Sequence, residues 1–277
     1  MDVSIIIINY NTLEMTRACI DSVFEKTSTL DFEVILVDNN SKDGSKDYFE
    51  KDKRIIYVYN NDNLGFGCAN NVGLNFAKGR NILFLNSDTL LVNNAIKILS
   101  DYLDGNSVVG ACGGNLYNKD MTPNMSFLKH YPSFIWEVNA LFHGYPSRLI
   151  RYKDVRFNYT DQPCPVAYIW GADLMIRKSV LDETGAFDED FFMYFEETEL
   201  CHRVTCAGYR IMSVPQARII HLNGGSTRKH KGPSEAYIQS NYKYIRKTNR
   251  NMLIRTLHKW VLTTRIFYHR LFGLWEK

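Results

Sequence analysis

Ile5 to Ile8 is an unbroken run of β-branched residues, opened by Ser4 and closed by Asn9-Tyr10-Asn11. A run with no polar face reads as a strand buried on both sides. The pattern recurs down the first third of the chain. Thr12 to Glu25 carries Met15, Ala18, Cys19, Val23 and Phe24 near helical spacing. Phe32 to Val37 is a second apolar run, ended by Asp38-Asn39-Asn40-Ser41. Gly44 to Lys51 suits a short helix and Ile55 to Tyr59 a third strand. Leu64-Gly65-Phe66-Gly67 leads into a helix over Cys68 to Ala77, stopped by Gly79. Ile82 to Leu85 is a fourth strand, ended by Asn86-Ser87-Asp88. Strands alternating with helices predict an α/β fold built on a doubly wound, mostly parallel sheet with right-handed crossovers.

Beyond Ser100 the rhythm changes. Val108 to Leu116 is glycine-rich and strand-like. Residues 119–165 hold Pro123, Pro132, Pro146, Pro163 and Pro165 among many aromatics, which suggests a lid or an acceptor-facing region. Ala172 to Arg177 reads as a strand. Glu196 to Ala207 reads as a helix with Gly208 placed to cap it, and Arg218 to His221 as a short last strand. Residues 235–277 look helical and basic.

A chain of 277 residues suits one large α/β domain or two small ones sharing a sheet. A net charge of +3 gives no global field that points to nucleic acid. The six cysteines form no CxxC pair, which favours a reduced, cytoplasmic protein. The opening MDVSIIII lacks the basic region of a signal peptide. No stretch approaches the roughly 18 apolar residues of a spanning helix, so the expectation is a soluble or surface-attached protein.

In open α/β sheets, ligands bind beyond the carboxyl ends of the strands. Three successive strand ends carry polar clusters: Asn9-Tyr10-Asn11, Asp38-Asn39-Asn40-Ser41 and Asn86-Ser87-Asp88. Any one of them is an ordinary turn. Together they point to one shared site. Asp88 is the candidate ligand for Mn²⁺ or Mg²⁺, which would neutralise a diphosphate leaving group. His221 could add a nitrogen that suits Mn²⁺ better, although alone it reads as well as a hydrogen-bonded core histidine. Glu196, Glu197 and Glu199 follow an aromatic run at a helix start, where a carboxylate is favoured. They serve equally as a general base or as plain helix design. Gly65-Phe66-Gly67 mimics a dinucleotide fingerprint but lacks the third glycine and follows the wrong strand. Cys201-His202 and Cys206 lie too far round a helix from one another for zinc.

In order, the segments SIIIINYN (4–11), EVILVDNNSKDGS (33–45), NDNLGFGCANNVGL (61–74), ILFLNSDT (82–89), GADLMIRKSVLDETGAFDEDFFMYFEETELCHRVTCAGYRI (171–211) and RIIHLNGGS (218–226) resemble glycosyltransferase family 2. These are inverting enzymes of the nucleotide-diphospho-sugar transferase (GT-A) fold, and the likeness is nearest to the rhamnosyltransferase-like branch of bacterial polysaccharide synthesis. The resemblance implies a sugar moved from a UDP- or dTDP-sugar to a hydroxyl of a saccharide or lipid-linked saccharide. It implies donor contacts from Tyr10, Asn11, Asp38, Asn70, Asn86 and Asp88, with Asp38 accepting from the base. It implies a divalent metal held by Asp88 and His221, and Gly171, Ala172 and Asp173 at the sugar and acceptor site. The family's Glu-Asp pair reads Glu196-Glu197 here. Glu197 is the expected base and Glu196 the next choice. Phe195 stands where glycine is usual. Residues 1–100 would form the nucleotide-sugar half, 101–234 the acceptor and catalytic half of the same domain, and 235–277 a basic amphipathic tail.

From Tyr242 to Lys277 nine basic residues face one acid, Glu276, with Met252, Leu253, Leu257, Trp260, Phe267, Leu274 and Trp275 among them. This suits an interfacial helix on the cytoplasmic face of an anionic membrane. Packing of the same face on the catalytic domain or on a second copy of the chain is the competing expectation. Two other functions remain open from sequence: a non-catalytic sugar-nucleotide or polysaccharide-binding module, and an NAD(P)-dependent Rossmann enzyme.

Overall fold

The computed structural model describes residues 1–142, 155–222 and 235–272. The first third follows the sequence pattern. Strands β1 (Val3–Asn9), β2 (Phe32–Asp38), β3 (Ile56–Tyr59) and β4 (Asn81–Asn86) are joined by helices α1 (Leu13–Lys26), α2 (Ser45–Phe49) and α3 (Phe66–Leu74). β1 pairs in parallel with β2 on one side and β4 on the other. α3 begins before the expected Cys68 because Gly65, not Gly67, ends the preceding loop.

The second half adds β5 (Thr89–Leu91), α4 (Ala95–Asp104), β6 (Val109–Tyr117), β7 (Phe127–Leu128), α5 (Phe134–Leu141), β8 (Cys164–Val166), β9 (Tyr168–Ile169), β10 (Asp173–Arg177), α6 (Lys178–Thr184), α7 (Glu196–Cys206) and β11 (Arg210–His221). The described nine-stranded sheet runs β3-β2-β1-β4-β10-β6-β11-β5, with β8 paired to β11. β10 enters antiparallel to both β4 and β6, so the two halves share one sheet. The last strand is far longer than the expected Arg218 to His221. Pro215 interrupts its ladder, and the register slips between Ser213 and Arg218. A proline inside an alternating run argues against a strand in sequence, but a bulge tolerates it. The proline-rich stretch is not wholly irregular either, since β7, α5 and β8 lie within it.

The core has two layers, which explains the strands without a polar face. Ile5 and Ile7 of β1 pack with Leu36, Cys19, Ile20 and Leu99 on one side of the sheet. Ile6 packs with Ile35, Val37, Phe84 and Leu200 on the other. Each such side chain taken from water contributes about 1.5–3 kcal/mol. A single polar residue in place of Ile5, Ile6 or Ile7 would break one layer or the other.

Helices α8 (Glu235–Thr248) and α9 (Met252–Phe272) complete the described chain. Neither they nor any other described helix is long and apolar enough to cross a membrane. α9 buries His258, Val261 and Leu262. A polar network ties the pair to α5. Arg265 reaches Glu137 Oε2 at 2.8 Å, Asn241 Nδ2 donates to Glu137 Oε1 at 2.7 Å, and His258 Nε2 lies 2.7 Å from Asn241 Oδ1. The Glu137 side chain is 0% exposed, so its charge depends on these partners. Arg265→Ala should therefore destabilise the docked helices by about 3–5 kcal/mol, the usual result of stranding a buried charge. Replacing both Glu137 and Arg265 by methionine should recover most of that loss in urea denaturation.

Candidate active site

The ends of β1, β2, β4 and β11 and the start of α7 converge on a cavity of about 550 Å³. From the nucleotide half come Tyr10, Asn39, Asn63, Gly65, Asn86, Ser87 and Asp88; from the later half come Trp170, Gly171, Phe192, Tyr194, Glu196, Glu197 and His221. No lysine or arginine lines it among the described residues.

Asp88 and His221 are 133 residues apart in sequence and meet at this cavity. The antiparallel pairing of β5 with β11 sets Thr89 opposite His221. His221 Nε2 then lies 3.2 Å from Asp88 Oδ1. The backbone locks the pair, because Leu222 N–H donates to the Asp88 carbonyl at 2.9 Å. His221 Nδ1 is buried without a hydrogen-bond partner among the described residues. A hard carboxylate oxygen and an imidazole nitrogen at one point of a cavity wall fit a divalent ion of the Mn²⁺ type.

Glu196 and Glu197 open α7, where the helix dipole meets them. Their environments push them apart. Glu196 is buried, and its Oε2 has no partner. Desolvation, and then the charge of Glu197, hold its carboxyl well above the usual range. Desolvation also raises Glu197, to about 7, but backbone N–H groups of Glu197, Thr198 and Gly171 stabilise its anion. Of the two, Glu197 is the group that ionises near neutrality. A side chain at position 171 would sit 3.3 Å from Glu197 Cδ, so glycine there lets the backbone donor come close.

The loop before α7 is strained. Tyr194 and Phe195 have φ of +71° and +69°, in the left-handed region that favours glycine. Phe195 is held there by packing, with its ring centroid 5.3 Å from Tyr237 and 5.5 Å from Tyr244 of α8. Ser240 of the same helix donates to the Met193 carbonyl at 2.8 Å. The loop is also fixed from the nucleotide half. Phe66 N–H donates to the Phe192 carbonyl at 3.0 Å, and a Cβ on Gly65 would lie 2.2 Å from that oxygen.

Not every expected residue faces the cavity. Asp38 is 0% exposed behind its wall, where Oδ2 accepts from Asn9 and Oδ1 from the Ser41 backbone. Asn11 shapes a turn, accepting from Lys42 N–H at 2.7 Å with its own φ at +55°. Asn70 is 1% exposed inside α3. Ala172 and Asp173 are at 0% within the sheet, and desolvation holds the Asp173 carboxyl well above its usual range. The Ala172 carbonyl accepts from Asn86 N–H at 3.0 Å, so its backbone borders the site, while the Asp173 side chain accepts from Gly114 N–H within the sheet. Sequence reasoning missed Asn63, Trp170, Phe192 and Tyr194 as lining residues. Asn63, Phe192 and Tyr194 lie inside the quoted segments and Trp170 directly precedes one, and that proximity was the one signal for them. His202 lies 3.7 Å from Cys206, but Cys201 is buried on another face, and no three ligating residues cluster among those described.

Residues 4–185 match the model of glycosyl transferase family 2, and the chain belongs to that family. Relatives include the dTDP-rhamnosyl transferase RfbF of Shigella flexneri, 24% identical over 91% of this chain and 80% of that one. The fold resembles GalNAc-T7 bound to UDP, GalNAc and Mn²⁺, with a TM-score of 0.68 at 15% identity over 89% of this chain. It also resembles a Pyrobaculum calidifontis mannosyltransferase in complex with GDP-Man and Mn²⁺, with a TM-score of 0.59 at 17% identity over 98% of this chain and 70% of that one. The fold is thus GT-A. Some relatives are much longer: the chain spans 48% of GalNAc-T7 and 26% of the uncharacterized protein y4gI of Sinorhizobium fredii, which it matches at 26% identity over 84% of its own length.

Phe195→Gly would relieve roughly 1–2 kcal/mol of left-handed strain but lose a buried ring usually worth about 3–5 kcal/mol. Net destabilisation of about 2 kcal/mol is expected in urea denaturation. A stabilised variant would show that the strain outweighs the packing.

Proposed function

We propose that the chain transfers one sugar from a UDP- or dTDP-sugar to a hydroxyl of a saccharide or lipid-linked saccharide, with inversion, in cell-surface polysaccharide synthesis. One observation carries this reading: a carboxylate that ionises near neutrality and an Asp–His pair suited to a metal line the same cavity. The rhamnosyl transferase relative supports the donor class, and the nucleotide- and Mn²⁺-bound neighbours support the metal. Six free cysteines support a cytoplasmic location.

In this mechanism Glu197 takes the proton of the acceptor hydroxyl as its oxygen bonds to the anomeric carbon. The bond from that carbon to the diphosphate breaks on the opposite face, and the nucleoside diphosphate leaves. Glu196, protonated, adds no charge against it. Asp88 and His221 would hold the divalent ion, which neutralises the diphosphate in a cavity that otherwise presents acids. Tyr10 flanks the nucleotide. Asp38, Asn11 and Asn70 hold that wall from behind. Trp170, Phe192 and Tyr194 offer aromatic faces to the acceptor, and Gly171 keeps its donor on Glu197. A binding module without chemistry would need neither a poised base nor an isolated protonated partner.

Glu197→Gln should keep donor binding and lower transfer by about 10²–10⁴-fold, the usual value of a positioned base. Glu196→Gln should remain active. In the parent, kcat/KM should rise with pH to a plateau above about 7, as Glu197 ionises. Stability should move the other way. A carboxyl whose folded pKa is raised holds more protons folded than unfolded, so this contribution falls between about pH 4.5 and 7. A transfer rate independent of pH in Glu197→Gln and parent alike would remove the base from this residue.

Asp88→Asn should abolish the Mn²⁺ dependence of nucleotide binding in calorimetry. In the parent, a nucleotide at 100 times its Kd should add about 2.7 kcal/mol of stability when Mn²⁺ is present. Equal stabilisation of the two chains would overturn the metal assignment.

A further inference from the structure

We propose that the outer face of α9 seats on an anionic lipid surface. One side of this helix is already committed to protein: His258, Val261 and Leu262 are buried, and Arg265 is pinned to Glu137. The other side carries a stripe at helical spacing. Leu253, Leu257, Trp260 and Phe267 are 66%, 40%, 66% and 66% exposed, with Met252 at 71% beside them. Steps of four, three and seven residues keep these side chains on one face over about 21 Å. The buried network fixes the face outward, so the stripe cannot turn into the core. α5, packed alongside, carries exposed Ile135, and Phe142 just beyond its end is also exposed.

Charge selects the occupant. Between Tyr242 and Trp275 the sequence has no acid. Some of its cations are committed to the protein: Lys243 donates to the Asp190 carbonyl, Lys247 pairs with Asp188 and Asp190, and Arg265 with Glu137. Arg246 at the end of α8, Arg250 between the helices and Lys259 on α9 stay exposed, Lys259 with its Nζ 5.3 Å from the Tyr242 ring and Arg246 near Asp190. An apolar face flanked by exposed cations, in a segment whose sequence holds no acid, suits the boundary between acyl chains and anionic headgroups. A two-fold pairing of this face with a second copy would set those cations against one another. The helix lies on such a surface without spanning it, since no described helix has the length and apolarity to cross. The side chains from Tyr268 onward, including Arg270, Trp275 and Lys277, lie outside the described residues and carry none of the argument.

The placement has a consequence for the cavity. α8, which leads into α9, holds the Phe195 loop through Tyr237, Tyr244 and Ser240. A seated α9 would hold the cavity in a constant attitude to the bilayer.

The test is co-sedimentation of the full chain with vesicles of phosphatidylcholine, alone or with phosphatidylglycerol. Binding should require the anionic lipid and weaken with salt. Arg250→Ala and Lys259→Ala should each lower the partition constant by roughly fivefold. Trp260→Glu with Phe267→Glu should abolish binding while leaving the urea midpoint unchanged, because both side chains are exposed. Glu197→Gln should bind like the parent, so failure of the catalytic reading would not touch this one. A chain that stays in the supernatant at low salt overturns the proposal. So does equal binding to neutral vesicles, or a parent dimer that fails to bind vesicles and that Trp260→Glu converts to monomer.

Discussion

The site depends on the antiparallel seam where β10 enters between β4 and β6. Without it there would be a parallel sheet ending in Asp88 on one side and an unattached Glu196-Glu197 pair on the other. The seam ends in the hydrogen bond from Asn86 N–H to the Ala172 carbonyl. Two residues beyond Asn86 lies Asp88, and one residue before Ala172 lies Gly171, whose N–H steadies Glu197. One backbone bond thus sets the spacing between the candidate metal ligand and the candidate base. Such bonds are individually modest, about 1 kcal/mol net. Their geometry matters more here than their energy, since a catalytic group displaced by an ångström loses much of its effect.

Strain and packing meet at the loop before α7. Two consecutive residues in the left-handed region are an expense that a glycine-containing loop avoids. Here the C-terminal helices offset it by burying the Phe195 ring against Tyr237 and Tyr244. Phe195 and the helix that packs against it are separated in sequence but adjacent in space. That arrangement ties the tail to the active site whether or not its outer face meets a bilayer.

Electrostatics divide the cavity's acids into distinct roles without changing their chemistry. Glu196 has only its own backbone N–H as a donor, its Oε2 has none, and burial drives it toward its neutral form. Glu197, one residue on, has backbone donors that keep an anion accessible. Asp88 sits against an imidazole. Two like carboxyls in one site separate in pKa because both cannot be charged cheaply in a low dielectric. The difference comes from which backbone N–H groups each can reach.

The sequence by itself determined the layered α/β core, since runs such as Ile5 to Ile8 admit no other burial. It also determined the polar strand ends, the metal candidates Asp88 and His221, and the carboxylate pair, through ordered motifs from residue 4 to 226. It could not assign duties within the motifs. Asp38, Asn70 and Asp173 occupy motif positions, yet fold into walls and sheet, because facing is set by strand register and not by residue type. It also missed the length of β11, because a bulge hides Pro215. The tail shows the same limit. Its basic and apolar composition was legible, but either face could have turned inward. Tertiary structure decided that, by burying His258, Val261 and Leu262 and pinning Arg265 to Glu137, so that Trp260 and Phe267 faced out. A helix presents two sides at equal local energy, and only the neighbours it packs against choose between them.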